Sequence, residues 1–204
     1  MNQKVITIGR EFGSGGREVG IQLAKRLDIP FYDKELLKLV SRDGDLDEKF
    51  LAANEEKAPD LSAPSLGRMA MAAFYQPSLS DTIFIEQSRI IRALAAKGPC
   101  VIVGRCADYV LKDEGSVDIF VSAGIEYRIR RKRSVAPEKS GYSDEEMEKY
   151  IREADKQRMK YYEHYTGRRW GRVENYHLCL FVDHVGVQGA VETILTYLEN
   201  WDRI

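Results

Sequence analysis

The strongest constraint on the fold of this chain is a glycine-dense turn near its N-terminus. A β-branched run at residues 5–8 (Val-Ile-Thr-Ile) leads into the turn, and helix-spaced apolar residues follow it. Five glycines fall within twelve residues: Gly9, Gly13, Gly15, Gly16 and Gly20. Because each glycine costs ordering entropy, so many of them favour a backbone that a ligand approaches closely. A strand, a glycine loop and a helix N-terminus in this order predict a phosphate-binding site.

The turn fits the common phosphate-loop pattern, Gly-x-x-x-x-Gly-Lys-Ser/Thr, only in part. In one register Arg10 stands at the first glycine and Gly16 at the lysine; in the other, Glu11 and Arg17 take these positions. Losing one charge-stabilising donor typically costs about 10²–10³ in rate. We therefore expect Arg17 to replace the lysine by reaching back over the phosphates. The alternative is a tight strand-to-helix turn that binds no ligand.

The remaining pattern predicts an α/β fold with a five-stranded parallel sheet. Strands are predicted at residues 4–8, 29–32, 100–103, 117–121 and 178–182. Helices are predicted at residues 16–27, 34–41, 82–97, 125–134 and 187–201, with another from a Ser143–Glu146 capping box to about Tyr162. Strands that alternate with helices favour a parallel sheet with right-handed crossovers. We predict one three-layer domain over residues 1–204, similar to P-loop NTPases.

Composition and charge argue against several classes of protein. The net charge of −1 gives no general attraction to nucleic acid. No apolar run approaches the roughly 20 residues of a membrane span, and the first residues leave no room for a signal peptide. The cysteines, Cys100, Cys106 and Cys179, lack metal-ligand spacing, so we predict no protein metal site. We expect free thiols in a reducing cytoplasm, with Cys100 and Cys179 in the core.

Two signatures resemble those of the cytidylate kinase-like family. The first is Ile-Gly-Arg-Glu-Phe-Gly-Ser-Gly-Gly-Arg-Glu-Val-Gly at residues 8–20, with Ile-Pro-Phe-Tyr-Asp-Lys-Glu-Leu at 29–36. The second is Val-Ile-Val-Gly-Arg-Cys-Ala-Asp-Tyr-Val-Leu at residues 101–111. The resemblance runs through essentially the whole chain. It implies a P-loop core, an acceptor-binding helical region at about 34–97 and a lid at about 133–145.

The resemblance also implies roles for single residues. Gly13 to Gly16 would form the phosphate loop, with Gly16 at the lysine position and Arg17 and Glu18 directly after it. Arg105 would hold the acceptor phosphate. Arg131 would lie at the edge of the lid, and Arg158, three residues after Asp155, on the helix that returns from it.

Charged residues at predicted strand ends support the same site without the resemblance. Asp33 and Arg105 each follow a strand, at the sheet edge where open α/β folds bind ligands. A planar guanidinium binds phosphate through two parallel hydrogen bonds. The alternatives are a helix cap for Asp33, a salt bridge for Arg105 and a solvated helix face for the lid arginines. The predicted site comprises catalytic Arg17, Arg131, Arg158 and Asp33; cofactor-binding Gly13, Ser14, Gly15, Gly16, Arg17 and Glu18; and substrate-binding Asp33, Arg105 and Asp108.

These residues together predict phosphoryl transfer from ATP with Mg²⁺ to a small phosphorylated acceptor, a nucleoside monophosphate such as CMP. The alternatives are a module that senses nucleotides without catalysis and a kinase for a small molecule that is not a nucleotide. We expect nucleotides as partners, neither membrane nor nucleic acid, and leave a homodimer open. Residues 161–172 mix aromatic and arginine side chains, which suit a loop over adenine, a dimer contact through Trp170 or, less well, RNA binding.

Overall fold

The computed structural model describes residues 4–33, 78–135 and 141–201. Its sheet has five strands in the order β2-β3-β1-β4-β5, and every neighbouring pair is parallel. The strands are β1 (Ile6–Arg10), β2 (Phe31–Tyr32), β3 (Val101–Val103), β4 (Val117–Ser122) and β5 (Leu178–Phe181). The predicted five-stranded parallel α/β fold is therefore confirmed, although β1 begins and ends two residues later than expected.

Six α-helices lie among the described residues. They are α1 (Gly16–Leu27), α2 (Leu79–Ala95), α3 (Ala107–Val110), α4 (Ile125–Val135), α5 (Asp144–Thr166) and α6 (Gly186–Asn200), and a short 3₁₀ helix follows α5 at Val173–Asn175. The first of these has the predicted bounds. The helix predicted at residues 34–41, most of the predicted acceptor-binding region and the centre of the predicted lid lie outside the described residues.

Helices cover both faces of the sheet, which gives three layers. On one face, α1 and α6 pack on the central strands through residues such as Leu23 and Ile194. On the other face, Ile83 and Ile91 of α2 pack against Ile102 of β3. Since the central strands are covered twice, their side chains are almost wholly buried, as expected for a parallel sheet.

The long helix α5 begins as predicted and ends later. The Ser143 N–H donates to the Glu146 carboxylate (2.8 Å), and the Glu146 N–H donates to Ser143 Oγ (3.2 Å), so the capping box is confirmed. The helix continues beyond Tyr162 to Thr166, and its last turn packs through Tyr165, whose ring stacks on that of Phe84 in α2 (centroids 4.1 Å apart). It ends at Gly167, whose φ of 67° is the left-handed conformation typical of a helix C-cap.

The expectation that Cys179 lies in the core is wrong. Strand β5 is an outer strand of the sheet, and its burial alternates, so the Cys179 and Phe181 side chains are exposed. Cys100 is buried, as expected, and so is Cys106. No described helix is both long enough and apolar enough to cross a lipid bilayer.

Candidate functional site

The loop between β1 and α1 has the backbone of a phosphate-binding turn. Gly13 and Gly15 have φ values of 83° and 92°, which a side chain would strain. The Ser14 hydroxyl donates to the Glu11 carbonyl (2.9 Å) and accepts from the Gly16 N–H (3.3 Å), which closes the turn. Directly after it, the first turn of α1 carries backbone N–H groups that have no partners within the helix.

One carboxylate fastens this loop to the helices α4 and α5. Asp155 Oδ1 accepts from the Phe12 N–H (2.6 Å), and Asp155 Oδ2 pairs with Arg128. Arg128 also donates to the Phe12 carbonyl (3.4 Å), and its side chain is only 7% exposed. Asp155 and Arg128 therefore act as a clamp that fixes the entry to the glycine loop.

Arg17 and Asp33, both predicted to be catalytic, form an ion pair with each other. Arg17 Nε donates to Asp33 Oδ2 (2.6 Å), and the Arg17 side chain is 54% exposed whereas that of Asp33 is 7% exposed. The Arg17 guanidinium also lies 5.7 Å from the centre of the Phe31 ring in β2. This contact holds Arg17 at the end of β2, so its reach over the phosphates stays a prediction.

Arg131 of α4 lies directly against the glycine loop. Its guanidinium pairs with Glu18 in the first turn of α1. A Cβ added at Gly15 would come within 3.1 Å of Arg131 Nε. The structure thus brings together Arg131, which the sequence placed at the edge of the lid, and two residues of the predicted cofactor-binding loop, Glu18 and Gly15.

Arg105 follows β3 in a strained turn. Gly104, Arg105 and Cys106 are three consecutive residues with positive φ (79°, 62° and 55°), which is uncommon outside glycine. The Arg105 side chain is almost completely buried. Burial, together with the positive charges of Arg10 and Arg158, lowers the pKa of Arg105 to about 10, and the charge of Asp33 opposes this shift. A buried, strained cation is a costly arrangement, and such strain concentrates at functional sites.

Asp108, the third predicted substrate-binding residue, lies in α3, directly after this turn. It is buried and accepts a hydrogen bond from the Tyr162 hydroxyl (2.6 Å). Burial raises the pKa of Asp108 to about 6, and the Tyr162 hydrogen bond opposes the rise. Asp108, Arg105 and Arg158 line a small cavity of about 20 Å³ whose wall includes Trp170.

A larger cavity of about 400 Å³ lies on the glycine loop. The predicted residues Gly13, Gly15, Gly16, Arg17, Glu18, Arg131 and Arg158 line it. Arg10 and Arg158 line both cavities, so the two cavities adjoin. Sequence analysis did not assign a role to Arg10, and the only signal was its position in the slot of the first motif glycine. Among the described residues, no group of three His, Cys, Asp or Glu side chains could hold a metal ion.

Solved structures share the fold over nearly the whole chain. A crystal structure of an uncharacterised protein from Eubacterium ventriosum ATCC 27560 is 29% identical, with a TM-score of 0.70, over 97% of this chain and 99% of that chain. A shikimate kinase from Bacteroides thetaiotaomicron is 15% identical, with a TM-score of 0.56, over 97% and 99%. A gluconokinase from Sinorhizobium meliloti 1021 is 15% identical, with a TM-score of 0.50, over 98% and 96%.

The likeness to these kinases shows that the chain has the P-loop kinase fold. No curated protein matches the sequence. The model of the cytidylate kinase-like family matches residues 5–184. This chain therefore belongs to the cytidylate kinase-like family.

Proposed function

We propose that this protein is a kinase that binds ATP with Mg²⁺ on the glycine loop and transfers the terminal phosphoryl group to a small phosphorylated acceptor. The single observation that carries the proposal is the charge of the larger cavity. In the part of the chain that the structure describes, its lining holds five cationic side chains and two carboxylates. The cations are Arg10, Arg17, Arg131, Lys132 and Arg158. Such an excess of positive charge, beside a helix N-terminus, suits a polyphosphate.

The size and walls of the cavity agree with a nucleotide donor. Its volume of about 400 Å³ lies within the range of small-molecule sites, which is roughly 300–1,000 Å³. Phosphoryl transfer requires a protein mainly to position two anions and to neutralise the charge on the moving group. Here Arg131 from α4 and Arg158 from α5 approach the loop from a second side, where they would neutralise that charge.

The carboxylates on the cavity wall fit a magnesium ion held mainly by phosphate. Mg²⁺ is usually bound through one or two carboxylates together with substrate phosphates. Glu18 lies in the first turn of α1 and Glu11 at the base of the loop, and both line the cavity. Glu18 is the better candidate because it is half-exposed, whereas Glu11 accepts the Ala123 N–H and its pKa is raised by burial. When bound, the ion would supply positive charge to the phosphates.

We place the acceptor at the turn after β3, on the basis of Arg105. A guanidinium held at a fixed position by the fold is suited to bind an acceptor phosphate through two hydrogen bonds. Arg158 lines the cavities on both sides, so it could contact donor and acceptor. A nucleoside monophosphate such as CMP is the first candidate, in keeping with the family to which the chain belongs.

One observation favours a second candidate, a module that binds nucleotide without catalysis. Gly16 stands where P-loop kinases have their lysine, and Arg17 and Arg131 are paired with carboxylates. To separate the two, purified protein is incubated with Mg-ATP and a panel of nucleoside monophosphates, shikimate and gluconate, while ADP is measured. ADP production that depends on a nucleoside monophosphate supports the kinase.

A matched variant and a binding assay complete the experiment. Arg105→Gln should need about 10–100-fold more acceptor for the same rate of ADP production and still be stabilised by Mg-ATP against heat. Stabilisation of the wild type by Mg-ATP without turnover of any acceptor would favour the sensor. If Mg-ATP neither stabilises the wild type nor is turned over with any acceptor, both candidates are refuted.

A further inference from the structure

Arg10, the last residue of β1, occupies the space from which a P-loop lysine would extend. A Cβ added at Gly16 would lie 2.6 Å from Arg10 Cβ, which is too close for any side chain, and 3.2 Å from Val121 Cβ, which is a tight contact. The atom that blocks it is the first carbon of the arginine, next to the backbone, so it cannot move aside. Any residue with a Cβ at position 10 therefore excludes a side chain, lysine included, at position 16 in this backbone.

The other end of the Arg10 side chain lies against a second glycine. A Cβ added at Gly104 would lie 3.0 Å from Arg10 Cζ and still closer to Nη1. Gly104 also has a φ of 79°, which favours glycine for a separate reason. The arginine thus runs from Gly16, at the start of α1, to Gly104, at the end of β3. Its guanidinium lies between the glycine loop and the turn that carries Arg105.

Three positively charged side chains, from β1, from the turn after β3 and from α5, lie near one another here: Arg10, Arg105 and Arg158. The backbone carbonyl of Arg10 accepts a hydrogen bond from Arg158 Nη1 (3.2 Å). The charges of Arg10 and Arg158 both oppose protonation of Arg105 and lower its pKa. Guanidinium groups that lie close together repel one another; Asp33 offsets part of this repulsion at Arg105, and an anion between the three arginines would offset more of it. Both cavities are lined by Arg10, which suits a group that contacts phosphate at their junction.

We propose that Arg10 supplies the donor-site phosphate-binding cation in place of the missing lysine, an inference that rests on the function proposed above. In this proposal the motif glycine and the motif lysine have exchanged roles: Arg10 stands at the first glycine position and Gly16 at the lysine position. The phosphate-binding cation therefore extends from the end of β1 and not from the start of α1. The ligand class is the β- and γ-phosphates of a nucleoside triphosphate, for which a planar guanidinium offers a two-pronged donor.

The proposal differs from our sequence-based expectation for Arg17. That side chain is half-exposed and is held by Asp33 at the end of β2. Arg10 instead lies on the wall shared by the two cavities. The two hypotheses, one for Arg10 and one for Arg17, therefore predict different effects when each arginine is replaced.

The experiment is isothermal titration of the full chain with Mg-ATP and, separately, with inorganic tripolyphosphate. Arg10→Gln keeps the stem beside Gly16 and removes the charge, so it tests charge without opening a gap. We expect its affinity for both probes to fall by about 10–100-fold, the range for a lost charge-assisted hydrogen bond. The matched control is Arg26→Gln, an exposed arginine paired with Glu192, which should bind like the wild type. Arg17→Gln should lose less affinity than Arg10→Gln.

A reciprocal exchange tests the steric half of the proposal. Gly16→Lys alone should lower the melting temperature and abolish binding, because its Cβ meets that of Arg10. Arg10→Gly combined with Gly16→Lys should bind at least ten times more tightly than Arg10→Gly alone. A double variant that folds but recovers no affinity would overturn the exchange; if it does not fold, the Arg10→Gln titration decides.

The outcomes separate this inference from the proposed function. Wild-type binding together with Arg10→Gln affinity within twofold of it would overturn the role of Arg10 and leave the kinase proposal standing. A wild type that binds neither probe would refute the proposed function, and the inference with it.

Discussion

Replacing Asp108 by asparagine should stabilise the protein at neutral pH. Asp108 is buried, and desolvation raises its pKa from 3.8 to about 6. A tenfold change in protonation corresponds to about 1.4 kcal/mol, so keeping this carboxylate ionised costs the folded state about 3 kcal/mol. Asparagine removes that cost and its side-chain oxygen can still accept from the Tyr162 hydroxyl, but the backbone N–H of residue 108 loses its carboxylate acceptor, so about 3 kcal/mol is the upper bound of the gain.

The sign of the pH dependence follows from linkage. Because the folded pKa is the higher one, the folded state binds more protons between pH 4 and 6, and stability falls as pH rises through that window. Above pH 6 Asp108 is ionised in both states, and the folded state bears the full cost of the buried carboxylate. The stability gained by Asp108→Asn should therefore grow from near zero at pH 4 to as much as about 3 kcal/mol at pH 7–8.

The assay is urea unfolding of both proteins between pH 4 and 8, followed by tryptophan fluorescence. The difference between the two free energies of unfolding cancels contributions from other carboxylates. Asp113→Asn, at a side chain that is 87% exposed, is the control and should show no trend with pH. A variant that is equally or less stable than the wild type at pH 8, with no change in the difference down to pH 4, would refute the reasoning.

Three further predictions concern the site and its supports. Arg105→Gln should raise the KM for the phosphorylated acceptor by about 10–100-fold with little effect on Mg-ATP affinity, measured by initial rates and titration; an unchanged KM would contradict the role of Arg105. Asp155→Asn should lower the free energy of unfolding in urea by about 3 kcal/mol and weaken Mg-ATP binding. It removes the nearer carboxylate of the buried Arg128, which keeps only Glu11 at 3.8 Å, and it weakens the hydrogen bond of the Phe12 N–H. An effect on stability without one on binding would show that the clamp does not serve the loop. Ser143→Ala should cost about 1 kcal/mol in urea unfolding, since it removes the cap of α5, whereas Ser134→Ala, at an exposed site, should cost less.

Local sequence signals were sufficient for much of the fold. The bounds of α1 were predicted because a glycine turn precedes it and its apolar residues repeat at helical spacing. The start of α5 was predicted from the Ser143–Glu146 capping box, which involves only residues of one turn. By contrast, α3 has four residues, too few for a periodic pattern to appear.

Features that depend on distant neighbours were not predicted. Cys179 lies in an apolar run typical of a buried strand, but burial depends on whether another strand or helix covers it, and β5 is outermost. Similarly, Arg17 and Asp33 were both singled out, yet their ion pair joins the first turn of α1 to the end of β2. Local spacing carries no information about such a contact.

The position of Arg10 shows the same limit within the site. The motif register placed it in a glycine slot, where it counted as a defect of the pattern. Only the three-dimensional path of its side chain, past Gly16 and Gly104, connects that defect with the missing lysine. Two departures from a motif can therefore be coupled, and their spacing alone does not reveal the coupling.

The central claim is that donor phosphates bind the loop between β1 and α1. Its most direct test is amide nuclear magnetic resonance of the full chain during titration with Mg²⁺ and a non-hydrolysable ATP analogue. We predict that the largest shifts occur at the amides of Gly13, Gly15, Gly16 and Arg17. Saturable binding that leaves these four amides unchanged, or no binding at all, would contradict the account.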